Sequence, residues 1–218
     1  QEDETMRKPP RSADDHLVSA KMIFVTYFSV GLMHTFASYF GFFWVLLDYG
    51  FNMGDLFGAG LGFREDWSDL TEERKDYFQN DLCPKNEKFM AKGLDCQQSF
   101  SDYRQEALSK AQAAFFIAII WGQIANIFIR KTFSESILNI RRLTNNTYLL
   151  NTLIFELCLT MALVYIPGLN KVFLMESLDA EYLFCTIWYI PWLIMYDEVR
   201  KIFVRADPEG AVAWLTNF

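Results

Sequence analysis

The chain has 218 residues, of which 52% are apolar, 17% aromatic and 22% charged, with a net charge of −7. The charges stand in blocks separated by long runs that carry almost none, which excludes an ordinary soluble domain, where charged and apolar positions interleave. The acidic balance says little of partners, because 12 of the carboxylates lie within residues 49–110, and no nucleic-acid partner is expected.

Residues 1–16 read as a cytosolic lead. Met22 to Leu47 is 26 residues without Asp, Glu, Lys or Arg, so a first transmembrane helix is expected over 17–48, since about 20 apolar residues cross the hydrocarbon core. It is no signal peptide, being too long and lacking a small-residue cleavage site. The start at Gln1, with no initiator Met, leads us to expect a piece of something longer.

Residues 49–110 form an extracellular loop. Its glycine-rich start, Phe51 to Gly62, predicts turns, and Leu70 to Asn80 predicts a helix with Ser68 or Asp69 near its cap. Cys83 and Cys96 face an oxidising compartment. A disulfide between them would remove chain entropy worth roughly 3 kcal/mol, and free thiols are the alternative.

Ala111 to Ile129 is 19 residues without a charge and predicts a second transmembrane helix over 111–130. Residues 131–147 follow as a cytosolic loop. Its sequon, Asn145-Asn146-Thr147, would go unmodified there.

Tyr148 to Leu169 is 22 residues with one charge, Glu156, and predicts a third helix over 148–166. A short extracellular loop spans 167–180. Tyr182 to Tyr196 is a shorter run of 15, extended beyond a charged patch by Ile202, Phe203 and Val204. It qualifies as a fourth helix over 181–201 if its end snorkels through the headgroups, with a kink at Pro191. Residues 202–218 form a cytosolic tail. Cys158 and Cys185 fall inside helices, where packing is the expected role.

Basic residues set the orientation. Arg7, Lys8, Arg11 and Lys21 precede the first helix, Arg130, Lys131, Arg141 and Arg142 follow the second, and Arg200, Lys201 and Arg205 close the fourth. The positive-inside rule places all three segments in the cytosol. The expected fold is an all-α membrane protein of four transmembrane helices.

Glu156 is the outlier within these runs. An acid facing lipid costs several kcal/mol, so such a residue faces protein, often along an ion path. A protonated Glu hydrogen-bonded to a neighbouring helix explains it equally well. Gln123 and Asn126, three apart, share one face of the second helix. The three side chains supply oxygens suited to a hard monovalent cation or to protons. They cannot complete a site, because a dehydrated cation takes about 5 or 6 oxygens. His34 in the first helix reads as a hydrogen-bonded packing residue rather than a ligand. Trp44, Tyr49, Trp188 and Trp192 suit interfacial or packing roles. No phosphate-binding loop, zinc spacing or Ser/His/Asp set is present, so the segment alone is not catalytic and needs no cofactor of its own.

Several motifs resemble one family. Tyr196-Asp197-Glu198-Val199-Arg200-Lys201 closes the last helix as it does in the α subunits of sodium–potassium and proton–potassium ATPases, and the tail that follows has the family's length. Ala114-Phe115-Phe116, Gln123 and Arg130-Lys131-Thr132 resemble the family's eighth helix and its exit. Tyr165-Ile166-Pro167-Gly168 resembles the Tyr-Cys-Pro-Gly that ends its ninth. Leu61 to Trp67 is similar to the loop after its seventh, and Met6, Pro10-Arg11 and Leu17-Val18 fit the lead into that helix. The likeness covers nearly the whole chain and weakens only over 70–95.

This resemblance implies the seventh to tenth helices of a ten-helix P-type pump in the plasma membrane, exchanging sodium or protons for potassium. The ATP and Mg sites, and the phosphorylated Asp, would lie in the pump's other domains. Glu156 and Gln123 match family positions lining a third sodium site. Asn126 stands where the family has Asp, which removes one negative charge. Phe133-Ser134 replaces paired arginines, and Asn217-Phe218 replaces a terminal Tyr-Tyr, so site, basic pair and tail have changed together as one unit. Leu94-Asp95-Cys96-Gln97 stands where the family carries Ser-Tyr-Gly-Gln, so Gln97 and Gln98 are the expected contacts for a β subunit. The other expected partners are the remaining pump domains and membrane lipid.

Two rivals come from other classes. A free-standing four-helix junction protein of claudin type shares cytosolic termini and an outer loop with a Trp and two cysteines. It would also show Gly-Leu-Trp before the first Cys, which this loop lacks. A pump paralogue that has lost transport and acts as a regulator would lack the Asp-Lys-Thr-Gly phosphorylation loop upstream.

Overall fold

A computed structural model describes residues 20–51, 72–77, 79–80, 100–132, 136–137 and 146–216. Among them the regular structure is helical, with no strand. Three helices are long and apolar enough to cross a membrane: α1 (Ala20–Asp48), α3 (100–129, its spanning part Asp102–Ile129) and α4 (Thr147–Tyr165). The described residues fall into two compact units, one within Gln1–Ser38, Ala118–Thr160 and Thr186–Phe218, the other within Tyr39–Ile117 and Met161–Cys185.

Helix α1 is not uniform. Thr26–Gly31 is wound as a π-helix between two α-helical stretches. The Ser29 hydroxyl donates to the Val25 carbonyl at 2.5 Å, giving a wide turn a local partner. Such π segments mark places where a helix is adapted to its surroundings. Glu72–Tyr77 forms the short α2, inside the stretch where a helix over 70–80 was expected.

Helix α3 runs for 30 residues, Phe100–Ile129. It therefore begins well before residue 111, and the stretch 100–110 expected as loop is helical. Its charges hid this from an apolar-run reading, yet Ala107, Ala111, Ala114 and Ala118 are all buried and lie along one side at helical spacing.

Asn146 caps α4, since its side chain accepts the backbone N–H of Leu149 at 3.2 Å. Pro167 cannot continue the helix, and Gly168 turns the chain with φ +102, a conformation that disfavours any side chain. The one-turn α5 (Leu169–Val172) follows. The Tyr165 hydroxyl donates to the Leu178 carbonyl at 2.8 Å and so ties the return of the connection.

The expected continuous fourth helix is instead divided. α6 (Ala180–Phe184) and α7 (Tyr189–Ala206) are separated by turns at 185–188. Pro191 is the cause. In a continuous helix its ring would strike the carbonyl four residues back, at Ile187, whereas in the first turn of α7 its missing N–H costs nothing. The break thus precedes the proline instead of kinking at it. α7 also continues past residue 201, and the short α8 (Ala211–Thr216) follows.

The core of the first unit joins α1, α3 and α7 through Val30, Ala37, Ala125, Ile129, Tyr189 and Leu193. Small residues on α3 let the aromatic and branched side chains of its neighbours approach closely.

Candidate functional site

Helix α7 carries a buried stripe at Tyr189, Leu193, Asp197, Lys201 and Val204. Its lower half is charged, so the site begins with an ion pair on the core-facing side of a helix. Asp197 and Lys201 lie four apart, the acid nearer the N-terminus, the better order for the helix dipole. Lys201 Nζ meets Asp197 Oδ2 at 2.6 Å and donates to Thr132 Oγ1 at 2.8 Å and to the Ile129 carbonyl at 3.5 Å. Lys201, fully buried, thus has one ion-pair partner and two hydrogen-bond acceptors. Arg200 Nε donates to the other oxygen, Oδ1 of Asp197, at 3.0 Å. A buried charge persists only when paired in this way. Of the other signature residues, Glu198 accepts the Ile137 backbone N–H at 2.7 Å, and Tyr196 packs against the core.

Beside this cluster lies an open cleft lined by Ser29, Arg130, Tyr196, Asp197, Arg200 and Thr216, among others. Arg130 reaches back along its own helix to Asn126 Oδ1 at 3.4 Å and across to Thr26 Oγ1 at 3.3 Å. Lys21 donates to the Trp214 carbonyl and stands 4.1 Å from the centre of its ring, so α8 is held against the start of α1.

Gln123, Asn126 and Glu156 all belong to the first unit. In this chain Gln123 is exposed, while Asn126 and Glu156 are half-buried. Asn126 is engaged by Arg130, and the Glu156 backbone carbonyl accepts from Thr160. No hydrogen bond among the described residues joins the three side chains to one another. None of the described residues forms a group of three or more His, Cys, Asp or Glu that could hold a metal ion. Cys83, Cys96, Gln97 and Gln98 lie outside the described residues. Cys158 is an exposed free thiol, not the packing residue expected, and Cys185 donates to the Tyr182 carbonyl at 3.1 Å.

One contact escaped sequence reasoning. His34 of α1 lies edge-on to Tyr189 of α7, ring centres 5.3 Å apart, where Gly122 of α3 offers no side chain. A Cβ on Gly122 would stand 2.2 Å from His34 Nδ1, so only glycine admits the ring. Gly122 was the available signal, an unexplained glycine inside an apolar helix.

The second unit holds a polar network of its own. Tyr49 donates to Glu106 at 3.1 Å, Lys110 lies 3.6 Å from Glu106 and 3.1 Å from Asp179, and Tyr182 donates to Asp48. Burial, ahead of smaller contributions from its neighbours, pushes the Tyr49 phenol up to about 12. It remains a neutral donor at physiological pH.

The model of the family described as Cation transporting ATPase, C-terminus, matches residues 1–203. The sodium/potassium-transporting ATPase subunit alpha-4 of Rattus norvegicus is 31% identical over 215 residues, covering 98% of this chain and 18% of its own. Subunit alpha-B of the Artemia franciscana sodium/potassium-transporting ATPase is 30% identical over 219 residues, 100% of this chain and 20% of its own. The human subunit alpha-3 is 29% identical over 212 residues, 97% and 19%. The chain thus spans about a fifth of the length of these relatives.

Proposed function

The chain belongs to the family of cation-transporting ATPase C-terminal regions, and on that premise we propose that it is the last membrane segment of an ATP-driven monovalent-cation pump. The observation that carries the reading is a family match that runs from the lead through all three candidate spans and the Tyr196–Lys201 signature. The buried pairing of Asp197 with Lys201 supports it, because it gives the signature a physical role, that of locking α7 to the end of α3.

In this reading α6 and α7 together make the fourth crossing, the helices are the seventh to tenth of the pump, and the cytosol holds 1–16, 131–147 and 202–218. The protein resides in the plasma membrane. ATP, Mg and the phosphorylated Asp belong to the other domains of the complete pump. Gln123, Asn126 and Glu156 contribute oxygens to a cation site that further helices complete. Gln97 and Gln98 lie where a β subunit would bind.

The test is phosphorylation of the complete protein from ATP in native membranes. The reading expects an acid-stable, hydroxylamine-sensitive acyl phosphate whose formation depends on a monovalent cation. Failure to form one would contradict it, leaving a non-pumping paralogue.

A further inference from the structure

We propose that Arg130 gates the cation site from its cytosolic side: the guanidinium rests on Asn126 and must leave that oxygen before a cation can bind it. The inference rests on the reading above, in which Asn126 contributes to such a site and the end of α3 faces the cytosol.

An arginine at the cytosolic end of a crossing is ordinary by itself, since basic residues collect there and suit a helix C-terminus. The direction of this one is not. α3 ends at Ile129. Side chains tilt towards the N-terminus of their helix, so Arg130 turns back towards the membrane instead of out to the cytosol. Its Nε donates to Asn126 Oδ1 at 3.4 Å, one turn earlier, and its Nη2 donates to Thr26 Oγ1 at 3.3 Å, on α1. The guanidinium thus bridges two helices, with one of the three candidate ligands as its anchor.

Three features suit a gate better than a structural tie. Both bonds are long against a usual value of about 2.9–3.0 Å, and both acceptors are neutral oxygens. Arg200 shows the contrast, donating to the Asp197 carboxylate at 3.0 Å, the stronger kind with charge on both sides. The arginine is also exposed and lines the open cleft with Ser29, Tyr196, Asp197, Arg200 and Thr216, so its side chain has room to swing. Finally, Thr26 begins the π-helical turn Thr26–Gly31, and π turns recur at functional sites.

Charge decides how the gate rests. Arg200 lines the same cleft and its like charge opposes Arg130, while Asp197 attracts it. Asp197 is already engaged by Lys201 and Arg200, so Arg130 settles on the neutral oxygens of Asn126 and Thr26. A monovalent cation approaching Asn126 therefore meets a full positive charge on the same carbonyl oxygen. The two compete for it. An arginine stays charged at every physiological pH, so it cannot relieve the repulsion by losing a proton. Two unit charges within about 6 Å of each other in a partly solvated site repel enough to change an affinity by about tenfold or more.

The test uses the complete pump in membranes, with sodium activation of phosphorylation measured from the cytosolic side. Arg130→Gln, which keeps a polar side chain and removes the charge, should raise apparent sodium affinity by about tenfold. Arg130→Lys, which keeps the charge, should stay near wild type, a rescue that a role in packing alone would not give. The difference between wild type and Arg130→Gln should narrow as a salt of a non-activating organic cation is raised from about 0.01 M to about 0.1 M, where the Debye length falls from about 30 Å to about 10 Å. Asn126→Asp should gain more sodium affinity in the Arg130→Gln background than alone, because the added carboxylate then has no guanidinium beside it. Arg130→Ala gives the same test if the Gln variant does not reach the membrane. Unchanged or weakened sodium affinity in the folded Gln or Ala variant would overturn the inference and leave the pump reading intact. So would a Lys variant that behaves like the Gln one. Absence of sodium-dependent phosphorylation in wild type would instead remove the pump reading, and the inference with it.

Discussion

Asp197 and Lys201, one turn apart on α7, meet at 2.6 Å in the core, and the lysine has no solvent exposure. This pair is the hinge pin of the segment, because Lys201 also grips Thr132 and the last carbonyl of α3. Lys201→Met should destabilise the protein by about 1–3 kcal/mol, since it leaves the buried carboxylate of Asp197 with Arg200 as its remaining cationic partner. Asp197→Asn with Lys201→Met should cost markedly less than the single change. Thermal unfolding of detergent-solubilised variants reads both effects, and an additive double mutant would show that the pair does not couple.

Much of this fold was legible because hydrophobic run length measures membrane thickness. The charge-free runs at 22–47 and 111–129, and the run at 148–169 with its single charge, each became a helix. What stayed hidden depends on context that a run cannot express. The π-helical turn at Thr26–Gly31 leaves no compositional trace. Residues 100–110 are too charged to register as a spanning helix, yet they extend α3. Pro191 was visible, but its position within the first turn of α7, and so the break at 185–188, was not. The motif Tyr196–Lys201 stood out, although nothing in its spacing said that its lysine would be the buried one. The seating of His34 required two residues 88 positions apart in sequence (34 and 122) to meet.

That seating makes its own prediction about packing. Gly122→Val should destabilise by about 1–3 kcal/mol, the usual cost of overfilling a core. His34→Ala in the same chain should recover most of the loss by vacating the space. Melting temperatures of the two variants decide the matter, and no recovery would mean that the ring does not occupy the position described.

Topology can be mapped by glycosylation. With 131–147 in the cytosol, Asn145 should stay unmodified although it lies in a sequon, while a sequon engineered near Asn86 should be glycosylated. A mass shift that depends on Asn145 would invert the assignment of every loop.

The outer loop should be oxidised. Non-reducing peptide mass spectrometry should recover Cys83 linked to Cys96, with Cys158 and Cys185 alkylatable only after unfolding or from the lipid phase. Two freely alkylated thiols at 83 and 96 in native membranes would contradict the pairing.

The central claim is that this segment supplies ligands to a transported monovalent cation, and charge at Asn126 tests it most directly. In the complete protein, sodium-dependent phosphorylation should be compared for wild type, Asn126→Asp and Glu156→Gln. The account predicts that Asn126→Asp raises apparent sodium affinity by restoring a negative charge to the site. Glu156→Gln, which keeps a carbonyl oxygen at that position, should change the affinity little. Loss of sodium activation in Glu156→Gln, with no gain in Asn126→Asp, would contradict it.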